Sequence, residues 1–262
     1  MTANHLFGSY GAMQNPFIRK LEYGASLEDG DRDLLQRLTA RSDRVPARHD
    51  IVREGDDPTD AHLIMEGYAC RYKLMPNGKR QVMAFFVPGD LCDFHVQILG
   101  EMDHGIATLT SARVVTVPPS MIEAMTANPR INRALWWMTL VDEGTLREWL
   151  VNLGQRPAAE RIAHLLCELR LRLRSVGLAE GDSFDFPLTQ ADLSEAMGLT
   201  AVHVNRSLMQ LRADGLIILD RKRLTIPDYD KLRIFAGFRP NYLHLSEGKR
   251  GIPKVNESAS PL

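Results

Sequence analysis

The residues whose types and spacing best suit chemistry lie between Leu188 and Leu211, which read LTQADLSEAMGLTAVHVNRSLMQL. Val204, Leu208 and Leu211 recur every three or four residues, so on a helix they form one apolar stripe. The same helix turns Ala201, Val202, His203, Asn205 and Arg206 the other way. An arginine on such a face can donate two hydrogen bonds to a guanine or bind a phosphate, while valine can only pack on a thymine methyl. His203 and Asn205 add groups suited to base or phosphate contacts, and Thr189, Gln190 and Thr200 groups suited to phosphate.

Two short helices must position these side chains. Thr189 supplies an N-cap hydroxyl for a helix over Gln190–Met197, and Asp192 adds negative charge to its first turn. Gly198 ends it, because glycine tolerates the left-handed conformation of a C-terminal cap. Leu199 plugs the corner, and Thr200 caps a second helix running to about Ala213. This is a helix-turn-helix pattern with the second helix as the reader. An ordinary helical hairpin would carry the same caps, so the next residues matter. DGLIILDRKRLTIPD holds two β-rich runs, Leu216–Leu219 and Leu224–Ile226, around a charged turn. A hairpin there makes a wing, and Arg212, Arg221, Lys222 and Arg223 then lie within reach of phosphates.

The 262 residues carry 44% apolar and 25% charged side chains with a net charge of −1. That length suits two domains, and any footprint for nucleic acid must be local. No apolar core follows Arg19 and Lys20, so no signal peptide is expected, and no run reaches the length of a membrane span. Cys70, Cys92 and Cys167 are scattered and odd in number, which points to a reducing, cytoplasmic setting without a disulfide framework or a metal-ligand spacing.

Between Arg44 and Val117, short β-rich runs alternate with turn signals such as Asn77-Gly78, the pattern of a sandwich or barrel. Two stretches are more specific: VREGDDPTDAHLIMEG at 52–67 and FVPGDL at 86–91. Both look like the glycine-turn signatures of the cyclic-nucleotide-binding β-roll. With the winged helix-turn-helix behind them, the chain from Arg44 to Asp228 resembles the Crp/Fnr family of bacterial transcription regulators. The fold expected is α+β: an N-terminal β-roll of jelly-roll type, a long dimerisation helix and a C-terminal winged helix-turn-helix. The division expected is a loosely ordered arm at 1–26, the sensor roll at 27–127, the dimer helix and hinge at 128–155, the DNA-binding domain at 156–236 and a tail at 237–262.

The resemblance implies a homodimer on double-stranded DNA, reading a palindrome with half-sites about 34 Å apart. It also implies that the Gly177–Asp185 loop is a surface for RNA polymerase. Asn128-Pro129 opens the long helix, with asparagine as cap and proline at the first position. Ile131, Leu135, Met138, Asp142, Thr145 and Trp149 follow a seven-residue spacing and are the expected dimer face. Trp136 and Trp137 are read as packing residues, one toward the roll and one toward the partner. Arg156-Pro157 marks the hinge.

Departures from the family bear on the effector. Cyclic-AMP-binding members carry a Gly-Glu pair and then an arginine for the phosphate. Here Asp93 and Phe94 stand at the first place and Ile106 at the second, with no Arg or Lys between Arg80 and Arg113. The pair that meets adenine falls at Leu146-Arg147. A buried phosphate without a cation is poorly compensated, which argues against cyclic AMP held in that manner. Phe86, Asp93, Phe94, His95, Ile106, Leu146 and Arg147 are therefore the candidate effector pocket, and a small organic ligand in a more apolar pocket is the leading effector class. A regulator with no ligand stands as the alternative. Four clustered thiolates are lacking for an iron–sulfur cluster. His49, His62, His95 and His104 leave haem as an open reading, with loop histidines favoured.

On the reading helix, family members pair a glutamate with the arginine one turn away. Arg206 keeps the arginine and Val202 replaces the glutamate, so the half-site is expected to differ at that base pair. Two rival classes remain. A cupin-type metal enzyme needs His-x-His on a strand, which the chain lacks. A ligand-binding or scaffolding protein that has lost DNA binding would fit Val202 but not the retained Arg206 and basic wing. The chain is read as a regulator, not an enzyme.

Overall fold

The computed structural model describes residues 15–57, 59–94 and 98–245. Two helices come first, α1 (Pro16–Leu21) and α2 (Asp29–Leu38). The roll then follows as β1 (Asp43–Val45), β2 (Asp50–Val52), β3 (Ala61–Glu66), β4 (Ala69–Leu74), β5 (Arg80–Phe86), β6 (Leu91–Cys92), β7 (Gly105–Thr108) and β8 (Ala112–Val117). These pair antiparallel into two four-stranded sheets, ordered β1-β8-β3-β6 and β2-β7-β4-β5. Alternation decides which faces meet: in β8, Ala112, Val114, Val115 and Val117 are buried while Arg113 and Thr116 are exposed. Gly67 turns β3 into β4 with a positive φ of 83°, and a Cβ there would fall 2.5 Å from the Ser111 carbonyl oxygen. Only glycine fits that crossing.

After α3 (Pro119–Thr126) comes the long α4 (Pro129–Gln155), whose N-cap Asn128 accepts from the backbone amides of Arg130 and Ile131. Arg156 is extended, Pro157 follows, and α5 (Ala158–Ser175) buries Ile162, Leu165, Leu166, Leu169 and Leu173. The C-terminal domain adds β9 (Ala179–Glu180), β10 (Ser183–Asp185), α6 (Gln190–Met197), α7 (Ala201–Ala213), β11 (Ile218–Asp220), β12 (Arg223–Thr225) and α8 (Tyr229–Phe235). Its sheet is ordered β11-β12-β10-β9.

Four expectations change here. The arm is ordered from Asn15: its side chain caps α1, and Phe17 and Leu21 are buried with Leu63, Val115 and Leu135. The Gly177–Asp185 loop contains β9 and β10, which extend the wing sheet through Phe184 opposite Leu224. The tail packs as far as described, with Phe238, Tyr242 and Leu243 buried, the last two in a 3-10 turn at Pro240–Leu243. Finally, the expected dimer face is buried within this chain. Ile131, Leu135 and Met138 join the core of the roll, Trp149 that of the C-terminal domain, and Thr145 is buried too. Asp142 is half exposed and bonded to Arg71. The spacing was real but faced inward, because a helix lying on two domains needs an apolar face of its own. Trp137 does pack inward, stacked on Tyr23, and Trp136 is half exposed.

Candidate recognition surface and effector cavity

The recognition surface is built by local chemistry. Thr189 and Asp192 form a reciprocal capping box: the Thr189 hydroxyl accepts from the Asp192 amide, and the Asp192 carboxylate accepts from the Thr189 amide at 2.8 Å. Gly198 is left-handed at φ 61°, and Thr200 accepts from the His203 amide. These caps hold α7 with Val204, Ser207, Leu208 and Leu211 buried. Ala201, Val202, His203, Asn205 and Arg206 are then all exposed, as are Thr189, Gln190 and Thr200. Gln190 donates to Asn205 at 3.5 Å and links the two helices. In the wing turn, Arg221 is left-handed and exposed, with Lys222 beside it. Arg206, Arg221 and Lys222 make no ion pair among the described residues, whereas Arg223 faces Asp185 at 3.5 Å. Unpaired cations around a polar helix face suit a polyanion.

The opposite side of α6 is tied to the roll. Arg48 grips the buried Asp192 carboxylate with two hydrogen bonds, one of 2.8 Å, and Arg80 of β5 reaches Glu195 at 2.7 Å. Burial alone would raise the Asp192 carboxyl; the Arg48 bonds and the Thr189 amide outweigh it and hold the group below its ordinary value. One carboxylate therefore caps α6 and anchors it to the roll.

A cavity of about 530 Å³ lies between the roll, α4 and the C-terminal segment. Phe85, Phe86 and Phe94 wall it from the roll, Trp136 and Trp149 from α4, and Leu243 from the segment. Its polar groups come in sets. Arg71 of β4 bonds Asp93 at 2.8 Å and Asp142 at 3.1 Å, lies 5.1 Å over the Phe86 ring, and has its Nε buried without a partner. His104 meets Asp93 at 3.1 Å and also Asp103. Burial disfavours the charged ring of His104, but these carboxylates overcome it and raise its pKa. Deeper in, Asp90 is held by Lys20 and by Arg172 at 2.6 Å, and Arg172 also meets Glu168 at 3.1 Å. Burial raises the Glu168 carboxyl despite hydrogen bonds from Trp149 and Tyr242.

Comparison with known proteins agrees with this geometry. Residues 43–128 match the model of the cyclic nucleotide-binding domain, and residues 160–235 match the Crp-like helix-turn-helix domain. A probable transcriptional activator of Rhizobium leguminosarum is 28% identical over 79% of this chain and 85% of its own. The transcriptional activator protein FnrL of Cereibacter sphaeroides is 28% identical over 71% of this chain and 77% of its own. The structure of FixK2 from Bradyrhizobium japonicum superposes with a TM-score of 0.66 at 24% identity, covering 74% of this chain and 96% of that one. The chain belongs to the Crp/Fnr family of transcription regulators. Like the members of that family, which are transcription regulators and not enzymes, it is a DNA-binding regulator. No helix among the described residues is long and apolar enough to cross a membrane.

Within this Crp/Fnr chain, the pocket residues expected from sequence divide. Phe86, Asp93 and Phe94 line the cavity. His95 lies outside the described residues. Ile106 is buried in the roll core with Ile64 and Cys92, and Leu146 and Arg147 sit on the outer face of α4, where Arg147 pairs with Glu143. The missing cation is supplied from the neighbouring strand: Arg71 stands opposite Ile106 in the β4–β7 ladder. Looking across the sheet rather than along the segment would have found it. Lys20, Arg172 and Leu243 also went unassigned, because each arrives from a distant part of the chain, while His104, weighed from sequence only as a haem ligand, lines the cavity beside Asp93. The three cysteines are free and buried; burial pushes the Cys70 and Cys167 thiols up to about 12. No group of three or more His, Cys, Asp or Glu side chains able to hold a metal ion occurs among the described residues.

Proposed function

We propose that the protein acts as a homodimer on a palindromic DNA site, that α7 reads the half-site, and that cyclic AMP is not its effector in the family's usual manner. The observation that carries the reading is the face of α7. Arg206 stands exposed and without an ion pair among the described residues, beside an exposed Val202, within a helix whose other face is buried. Arg206 donates to a guanine or phosphate, Val202 packs on a thymine methyl, and Gln190, His203, Asn205, Arg221 and Lys222 hold the register on phosphates.

The dimer forms through the outer face of α4, where Trp136, Leu140, Glu143, Arg147 and Leu150 are exposed at alternating four- and three-residue steps. That repeat is the seam of a paired helix. The β9–β10 hairpin, with Glu180 and Asp185 exposed, is the surface proposed to meet RNA polymerase. Against cyclic AMP stands the charge balance of the cavity: Lys20, Arg71 and Arg172 already face Asp90, Asp93 and Asp142. A phosphodiester anion would find no cation free and would first have to displace a carboxylate from one of them.

The test is selection of bound genomic fragments by the purified protein at moderate salt, with and without cyclic AMP, repeated with Leu140→Asp. The reading expects a palindrome enriched without nucleotide, and loss of both dimer and enrichment in the variant. Enrichment only with cyclic AMP overturns the effector part, and a monomer that still selects a palindrome overturns the dimer part.

A further inference from the structure

The cations that line the cavity differ in how firmly they are engaged. Lys20 and Arg172 share Asp90, whose side chain is 5% exposed, and Arg172 is further tied to the fully buried Glu168. Neither can release its carboxylate without leaving an uncompensated buried charge, which is costly. Arg71 differs. One arm is fixed on Asp93, itself held by His104, but the other reaches Asp142 of α4, which is 47% exposed. An exposed carboxylate returns to water at little cost, because solvent already screens it. Arg71 thus has one exchangeable position, pointing from the roll toward α4 beside the Phe86 ring.

We propose that the cavity binds a ring-bearing monocarboxylate whose acid group replaces Asp142 on Arg71 while its apolar body packs among Phe85, Phe94, Trp136 and Trp149. The inference deepens the effector part of the proposed function and rests on it. The class follows from three constraints. The volume of about 530 Å³ suits a small organic molecule. The aromatic walls favour an offset-stacked or edge-on ring. The single exchangeable cation takes one carboxylate in a charge-assisted pair, and a dianion would leave its second charge unmet. The exchange also has a consequence. Asp142 is on α4, so the ligand cuts a tie between the roll and the helix proposed to pair two copies. A ligand shifts a conformational balance only through such a differential contact.

The experiment is calorimetric titration of the full chain with naphthylacetate and with the uncharged naphthylacetamide, on the wild type, Asp142→Asn and Arg71→Gln. The same preparations are tested for binding to the selected operator. We expect the acid to bind and the amide to bind about tenfold more weakly, the factor of a lost charge-assisted bond. Asp142→Asn, at a half-exposed position that threatens no core, should tighten the acid about fivefold, as removal of a competing exposed ion pair does, and leave the amide unchanged. Arg71→Gln should abolish the preference for the acid. Equal affinity for acid and amide, an unaltered acid affinity in Asp142→Asn, or no heat from either compound overturns the proposal. If operator binding persists in those cases, only the ligand class falls; if no preparation binds DNA, the regulator reading falls with it.

Discussion

Arg206 and Arg71 stand at the two sites proposed to take a ligand, yet their surroundings are opposite. Arg206 stands on one helix with no ion pair among the described residues, and its neighbours Val202 and Asn205 are exposed as well. Arg71 lies between two carboxylates in a wall shared by the roll, α4 and the C-terminal segment. A surface that meets a polyanion leaves its cations unpaired, because the partner supplies the counter-charge. A cavity that must stay folded while empty pairs its cations internally, and a ligand must exchange with a partner already there.

Substitutions should separate the two regions. The largest effect is expected from Arg172→Met in the cavity floor. It leaves Asp90 and Glu168 without their shared cation and should cost about 3–5 kcal/mol in urea unfolding. A loss no greater than that of a surface substitution would break the contrast. Acidification should act next, through His164. Its ring is buried between Phe238 and Tyr242, with Nε2 3.1 Å from the Glu148 carboxylate but not aligned for a hydrogen bond, and burial, helped by the nearby Arg156 charge, pushes its pKa down to about 3. The unfolded chain takes up a proton near the ordinary histidine value of 6.5, whereas the folded chain resists it to about 3. This contribution to stability is therefore present above about 6.5 and is lost as pH falls from there toward 3, by up to a few kcal/mol. Thermal melts of His164→Phe should lack that part of the acid slope.

Arg206→Ala should weaken operator binding by about 1–3 kcal/mol, relax preference at one base pair and leave unfolding unchanged. An unchanged sequence preference would show that Arg206 contacts only phosphate. Arg48→Ala should have the smallest effect, about 1 kcal/mol in stability, since Arg48 is partly exposed and Asp192 keeps its amide bonds from the capping box. Its use lies at the junction of the two regions: a change in operator affinity with little change in unfolding would mean that the roll positions α6 through this pair.

The recognition element was legible in the sequence because local interactions define it. Thr189 and Asp192 cap within four residues, Gly198 needs only its own backbone freedom, and the stripe of Val204, Leu208 and Leu211 faces inward on any helix that has a core to cover. The strands of the roll were legible for the same reason, through alternation and glycine turns. By itself, then, the sequence determined the strands of the roll, the long helix, the helix-turn-helix with its wing and the residues α7 exposes, but not α1 or the β9–β10 hairpin. Tertiary structure decided what no spacing encodes. It placed Arg71 opposite Ile106, brought Lys20 and Arg172 to one buried carboxylate, and folded Tyr242 back to Glu168. It also chose which of two plausible faces of α4 was buried. Trp149 and Thr145 turned inward because α4 lies against two domains, and Leu140 and Leu150 were left outside. The physical reason is that hydrogen-bonded caps and periodic apolar stripes act within a few residues. The pairing of buried charges depends on groups that are distant in sequence and meet only after the chain has folded.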